Sequence, residues 1–268
     1  MSKIIAMVNQ KGGVGKTTSA INLAACLSVA EKRTLLLDLD PQGNASVGLG
    51  LNNENYKNKN LYHALIGECP IKEVVYSTEL PFLQVCPADN NLIGAEIELV
   101  SELARESKLK SALATIRDGF DFIIIDCPPS LGLLTVNALN ASDSFIVPMQ
   151  TEYFAMEGFA QLLNTVRLIR NSINPSLEME GILLTMFDSR ANLHKQVAHE
   201  IQTHFADKVF STVVPRNVKL SECPSFGKPI ILYDIESKGS EAYLSLAKEL
   251  IIRQRTAPQA NAETNYLS

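Results

Sequence analysis

The stretch Lys11-Gly12-Gly13-Val14-Gly15-Lys16-Thr17-Thr18 speaks most directly of chemistry in this chain. Glycines, free of a Cβ, let successive backbone N–H groups turn toward one point. A helix N-terminus adds the positive end of its dipole, so such a loop cradles an anion. Lys16 reaches the β- and γ-phosphates of a nucleotide, and the Thr17 hydroxyl holds Mg²⁺. The general pattern is Gly, four residues, Gly-Lys-Thr, but its first glycine position is here Gln10, followed by Lys11. Lys11 has no evident work within one subunit. Standing ahead of the anion nest, it is placed to reach a nucleotide held by a second copy.

Two carboxylate segments fit the same chemistry. In Leu35-Leu36-Leu37-Asp38-Leu39-Asp40-Pro41-Gln42-Gly43-Asn44 an apolar run ends in two aspartates, and the period of two puts Asp38 and Asp40 on one side. Phosphoryl transfer to water needs a group that orients the attacking water, and Asp40, beside the Pro-Gln-Gly turn, is the candidate. Turn capping is the commoner use of such an aspartate. In Phe122-Ile123-Ile124-Ile125-Asp126-Cys127-Pro128-Pro129-Ser130, Asp126 closes an apolar strand, the position that holds Mg²⁺ in phosphate-loop proteins. Cys127 reads as a small buried thiol.

The elements that must position these groups alternate along the chain. Apolar runs predict strands at Lys3–Val8, Arg33–Leu39, Leu83–Cys86, Asp121–Ile125, Ser144–Pro148, Glu180–Met186 and Val209–Val214. Helical patterns fall near Thr17–Val29, Asn90–Arg105, Lys108–Asp118, Leu131–Leu139, Glu152–Asn171 and Leu193–Phe205. Such alternation predicts an α/β fold with a mostly parallel twisted sheet and helices on both faces. Ligands in such sheets bind at the carboxyl ends of the strands, where the glycine loop falls. Asn52–Asn60 reads as an exposed polar loop. The amphipathic pattern over Gly239–Arg253 suits docking on the sheet better than a membrane surface. The expected organisation is one ATPase domain over residues 1–255 and a disordered tail over 256–268.

Composition bounds the remaining choices. With 268 residues and 46% hydrophobic content the chain can bury a large core. It contains no run of eighteen apolar residues and no charged-then-apolar leader, so neither a membrane span nor a signal peptide is expected. Five scattered cysteines without a C-x-x-C pair argue for a reducing cytosol. His194, His199 and His204 are spaced five apart, which splays them around a helix and points to solvent-facing positions instead of a metal site. Residues 1–189 carry a net charge of −7 and residues 190–255 a net of +3, so nucleic acid could be held only through a local patch. No tryptophan is present and no aromatics interleave the basic residues, so phosphate contact without base reading is expected.

Taken together, Lys11–Thr18, Asp38–Asn44 and Asp126–Ser130 resemble the ParA/Soj family of partition ATPases, which carry a deviant Walker A loop. Val213–Glu222 and Pro224–Pro229 are also similar to segments of chromosomal members, and the resemblance runs from Lys3 to about Arg253. It implies an ATP-dependent sandwich homodimer, non-specific binding of double-stranded DNA, and hydrolysis stimulated by a ParB/Spo0J-type centromere-binding protein. It implies a cytoplasmic, nucleoid-associated protein that uses ATP and Mg²⁺. By the match, Lys11 crosses to the partner's phosphates, Gly12 packs at the dimer interface and Asp40 is required for hydrolysis. Arg190 and Arg216 fall in segments that contact DNA in relatives, and Pro215-Arg216-Asn217 also borders the adenine. Two alternatives share the loop. One is a MinD-like membrane-cycling ATPase, which calls for a basic amphipathic helix at the end of the chain. The other resembles the nitrogenase iron protein, for which Cys86 and Cys127 are the only plausible cluster ligands. The chain opens directly at its first strand, so no sequence-specific operator-binding domain is expected.

Overall fold

The computed structural model describes residues 2–152 and 155–256. Eight strands among the described residues form one sheet: β1 (Lys3–Met7), β2 (Thr34–Asp38), β3 (Tyr76–Ser77), β4 (Leu83–Cys86), β5 (Phe122–Asp126), β6 (Ser144–Gln150), β7 (Glu178–Phe187) and β8 (Val209–Pro215). Their spatial order is β3-β4-β2-β5-β1-β6-β7-β8. Every neighbouring pair is parallel except β3 with β4. Parallel neighbours cannot be joined by a tight turn, so helices make the crossovers. These are α1 (Lys16–Val29), α2 (Asn44–Gly48), α3 (Leu61–Leu65), α4 (Leu92–Glu98), α5 (Lys108–Ala114), α6 (Leu133–Ala141), α7 (Ala155–Ser172) and α8 (Asn192–Phe205), followed by α9 (Val218–Glu222), α10 (Ile230–Tyr233) and α11 (Lys238–Thr256).

The alternation of strand side chains explains the two cores. Ile123 and Ile125 of β5 join a cluster with Leu134 of α6, Phe159 and Leu162 of α7 and Ile201 of α8. Phe122 and Ile124 face the opposite cluster, with Leu23 and Leu27 of α1 and Tyr243, Leu246 and Leu250 of α11. Strands β2 and β5 are buried along their whole length, which is why they lack polar alternation. The last helix therefore packs on the sheet, as its pattern predicted. The described part of that helix ends at Thr256, and the rest of the expected tail, 257–268, lies outside the described residues.

Two expectations need correction. Asn52–Asn60 is not simply an exposed loop: Tyr56 is 2% exposed, and the buried Asn60 caps α3 in a reciprocal pair with His63. The helix expected over Asn90–Arg105 stops at Glu98, continues as a 3₁₀ turn over Leu99–Ser101 and ends before Ala104, whose φ is 52°. Among the histidines, His199 and His204 are exposed, while His194 is partly buried and accepts the Asp188 N–H at 3.0 Å.

Candidate functional site

Sheet register assembles the site. Asp38 of β2 and Asp126 of β5 are direct register partners, and Asp126 also pairs with Met7, after which the glycine loop begins. Two carboxylates and the phosphate-type loop thus meet at the carboxyl ends of three adjacent strands. Within the loop, Gly13 and Gly15 adopt φ of 75° and 85°, a region costly for any residue with a Cβ. Gly15 forms the N-cap of α1, so the first N–H groups of that helix open toward the loop.

The loop is tied down from both sides. Asn9 donates to the Pro148 carbonyl at 2.8 Å and accepts the Lys11 N–H at 3.0 Å. Thr185 of β7 donates its hydroxyl to the Val14 carbonyl at 2.8 Å. Gly12 faces Pro129, which follows Asp126, with 4.0 Å between that ring and the place of a Cβ. Neither Asn9 nor Thr185 was evident from the chain, because their partners lie more than a hundred residues away.

The charges are arranged for an anion and a cation together. Lys16 is 6% exposed, and its ammonium donates to the Lys11 carbonyl at 3.1 Å. Burial lowers the Lys16 pKa, while Asp126, Cys127 and Asp40 oppose that shift. Asp126 is fully buried, and neither carboxylate oxygen has a hydrogen bond of good geometry. Burial drives its pKa well up and the charge of Asp38 adds to this, against the pull of the Thr17 hydroxyl and Lys16. A carboxylate so placed accepts a divalent cation, and Thr17 stands on the same side to share it. Asp40 is 7% exposed and accepts the Gln42 N–H at 2.9 Å. Burial, above all, pushes Asp38 up to about 6, although it accepts hydrogen bonds from Ser46.

Two of the sequence-predicted cations have partners within the chain. Lys11, read as idle inside one subunit, forms an ion pair with Glu152, and both side chains are more than 40% exposed. Arg190 makes a two-pronged pair with Asp188, at 2.9 and 2.8 Å, which holds that carboxyl well below its usual range. Arg216 is exposed and stands with Pro215 and Asn217 at the rim of a cavity of about 230 Å³. Gly15, Thr18, Met186 and Tyr243 line the same cavity, so it opens directly beside the glycine loop. Asn217 caps α9 with its side-chain oxygen, which fixes the turn that carries Arg216. Met186, at φ 50°, is a further lining residue that no sequence pattern announced.

Cys86 and Cys127 are both fully buried, and burial pushes both thiols up. Thiols so enclosed cannot bridge a cluster between two subunits, which removes the iron–sulfur reading. No helix among the described residues is long and apolar enough to cross a membrane.

The AAA domain family matches residues 2–179. The chromosome partitioning protein ParA of Myxococcus xanthus is 58% identical over 94% of this chain and 89% of its own. The sporulation initiation inhibitor protein Soj of Bacillus subtilis is 55% identical over 93% of this chain and 98% of its own. Among solved structures, cobyrinic acid a,c-diamide synthase from Mycobacterium smegmatis, with bound ADP and magnesium, superposes with a TM-score of 0.84 at 34% identity, covering 96% of each chain. The synthase shares the fold, but the much higher identity over nearly full length lies with the partition proteins. With the glycine loop, Asp40 and Asp126 gathered at the carboxyl ends of the central strands, the chain belongs to the ParA/Soj family of chromosome-partitioning ATPases.

Proposed function

We propose that residues 1–255 form a single ATPase domain that binds ATP and Mg²⁺ at the Lys11–Thr18 loop and dimerises on them. In that state it grips double-stranded DNA without sequence preference, and a ParB/Spo0J-type centromere-binding partner stimulates hydrolysis. The cycle segregates a chromosome or plasmid on the nucleoid. The observation that carries this reading is the buried Asp126 carboxylate, which has no hydrogen bond of good geometry and feels the pull of Thr17 and Lys16 at the glycine loop.

Thr17 and Asp126 would hold Mg²⁺, which neutralises charge on the transferred phosphoryl group when bound. Lys16 would exchange the Lys11 carbonyl for the β- and γ-phosphates. Gly12, Gly13, Val14, Gly15 and Thr18 complete the phosphate cradle, and the 230 Å³ cavity beside Pro215 and Asn217 takes the base. Asp40 orients the attacking water. Lys11 leaves Glu152 to reach the nucleotide of the second copy, with Gly12 at the interface. Arg190 and Arg216 supply phosphate contacts to DNA. The cavity also favours a second reading for Arg216 alone, as a wall of the base site.

The test is retention of DNA with ATP, with ADP and without nucleotide, at two salt concentrations. Only the ATP form should bind, equally across sequences, and steeply less at the higher salt. Equal retention in all three states would sink the proposal.

A further inference from the structure

Asp40 does not stand alone at the end of β2. Its main-chain N–H lies 3.3 Å from Asp38 Oδ1. Asp38 Oδ2 accepts two further hydrogen bonds, from the Ser46 N–H at 2.8 Å and the Ser46 hydroxyl at 2.7 Å. The Ser46 Oγ in turn accepts the Ala88 N–H at 3.1 Å, from the segment that follows β4. Between Asp40 and Ser46 the turn is pressed onto that same segment. Gly43 has φ +63°, and a Cβ there would stand 2.7 Å from the Ala88 carbonyl oxygen. A fourth member comes from the asparagine-rich insertion. Tyr56, flanked on both sides by exposed residues, is itself buried and lies beside Asp38 and Ser46.

From this we infer that the hydrogen-bonded pair of Ser46 and Asp38, with the buried Tyr56 beside it, positions Asp40. The inference rests on the reading of Asp40 as the residue that orients the attacking water. Capping a short surface turn does not require a fully buried carboxylate, least of all one beside a second carboxylate in the register partner Asp126. No cation forms an ion pair with Asp38 among the described residues. Such an arrangement is costly, and what it delivers is a turn fixed at both ends, with Asp40 at one and Ser46 at the other. Rigid placement is what water orientation demands, because a shift of about 1 Å in a positioning group costs on the order of a hundredfold in rate. Through Tyr56 the exposed 52–60 segment is mechanically continuous with Asp40.

The test compares Ser46→Ala, Tyr56→Phe and Asp40→Ala in the full chain, with ATP affinity read by calorimetry and hydrolysis by single turnover in the presence of double-stranded DNA. Ser46→Ala should hydrolyse ATP roughly tenfold to a hundredfold more slowly, with ATP affinity within about twofold of the parent. Tyr56→Phe keeps the ring and removes only the hydroxyl, and should slow hydrolysis by about threefold at unchanged affinity. If Ser46→Ala does not fold, Ser46→Cys, which keeps the size of the side chain but weakens its hydrogen bond to Asp38, carries the test with the same outcomes. Parent-rate hydrolysis by Ser46→Ala beside an inactive Asp40→Ala overturns the inference and leaves the reading of Asp40 standing. Parent-rate hydrolysis by Asp40→Ala overturns that reading instead. A Ser46→Ala variant that loses affinity in step with rate has only a structural role, and this too overturns the inference. Tyr56→Phe at the parent rate removes the link to the 52–60 segment.

Discussion

At the scale of single residues, Asp126 occupies a place that a cation relieves. Its carboxylate is enclosed, has no hydrogen bond of good geometry, and stands beside a second carboxylate that also resists ionisation. Asp126→Asn removes that charge at nearly constant shape. We expect it to weaken the Mg²⁺ dependence of ATP binding while leaving the protein folded, and thermal stability should hold or rise. Titration of Mg²⁺ against nucleotide-loaded protein checks this; an unchanged Mg²⁺ midpoint would detach Asp126 from the metal. Lys16 makes the complementary case. Its ammonium is buried and bonded only to the Lys11 carbonyl, a partner that satisfies one of its three donors. Lys16→Ala should abolish ATP binding in calorimetry, because no other lysine reaches the inside of the loop. Undiminished affinity would mean that the loop is not a phosphate site.

Elements depend on a few long-range ties, and one of them protects the edge of the sheet. Among the described residues strand β8 has no neighbour on its outer side, and the Glu249 carboxylate of α11 accepts the Ser211 and Thr212 N–H groups and the Thr212 hydroxyl. Burial raises the Glu249 pKa, but the hydrogen bonds from Ser211 and Thr212, together with Arg253, outweigh it, and the net shift is downward. A carboxylate depressed in the folded state contributes stability that is present above its unfolded pKa and lost as pH falls through the folded one. Glu249→Gln should therefore destabilise the protein by about 1–2 kcal/mol near neutral pH, a difference that shrinks toward acid. Thermal unfolding at pH 7 and pH 4 measures it; a pH-independent difference would exclude the charge as the cause. The same long-range character limits what the chain discloses on its own. Seven strands were legible as apolar runs, and the contiguous Lys11–Thr18 loop declares its chemistry in one glance. Strand β3, two residues long, exists only through pairing with β4, and helices of four or five residues, such as α2 and α10, are too short to show a period. Glu152 beside Lys11, Thr185 beneath Val14 and Tyr56 against Ser46 are meetings made by the fold, with no spacing signal to reveal them.

Considered as a whole molecule, the chain is an acidic protein, at −5, that holds two of its functional cations against its own carboxylates. The Lys11 pair is a single contact between exposed groups and is easily exchanged for a stronger anion, whereas the two-pronged Arg190 pair is stronger and must be displaced. For Lys11 that anion is, on the proposed function, a nucleotide phosphate on the second copy. Lys11→Gln should keep monomeric ATP binding and lose the ATP-dependent dimer, whereas Glu152→Gln, which frees the lysine, should lower the ATP concentration needed for dimerisation. Sedimentation with and without ATP decides this, and a normal dimer from Lys11→Gln would refute the cross-subunit role. For Arg190 and Arg216 the anion is, on the proposed function, the DNA backbone. They follow neighbouring strands, since Phe187 of β7 pairs with Pro215 of β8 and the Arg216 N–H donates to the Phe187 carbonyl. Two guanidinium groups that follow neighbouring strands would form a local patch that the overall charge conceals. Arg190→Glu and Arg216→Glu should each weaken DNA binding to a similar degree on every sequence, because phosphate contacts carry no base information. Each should also lower the slope of log affinity against log salt by about one unit. ATP-driven dimerisation should survive Arg190→Glu, whose guanidinium is held by Asp188 and does not line the cavity beside the glycine loop. Arg216 is the sharper test, because it also rims the cavity beside Gly15 and Thr18. If Arg216→Glu loses ATP affinity or the dimer together with DNA, the residue belongs to the nucleotide site. If it loses DNA alone, the rim of the cavity is where nucleotide and DNA meet.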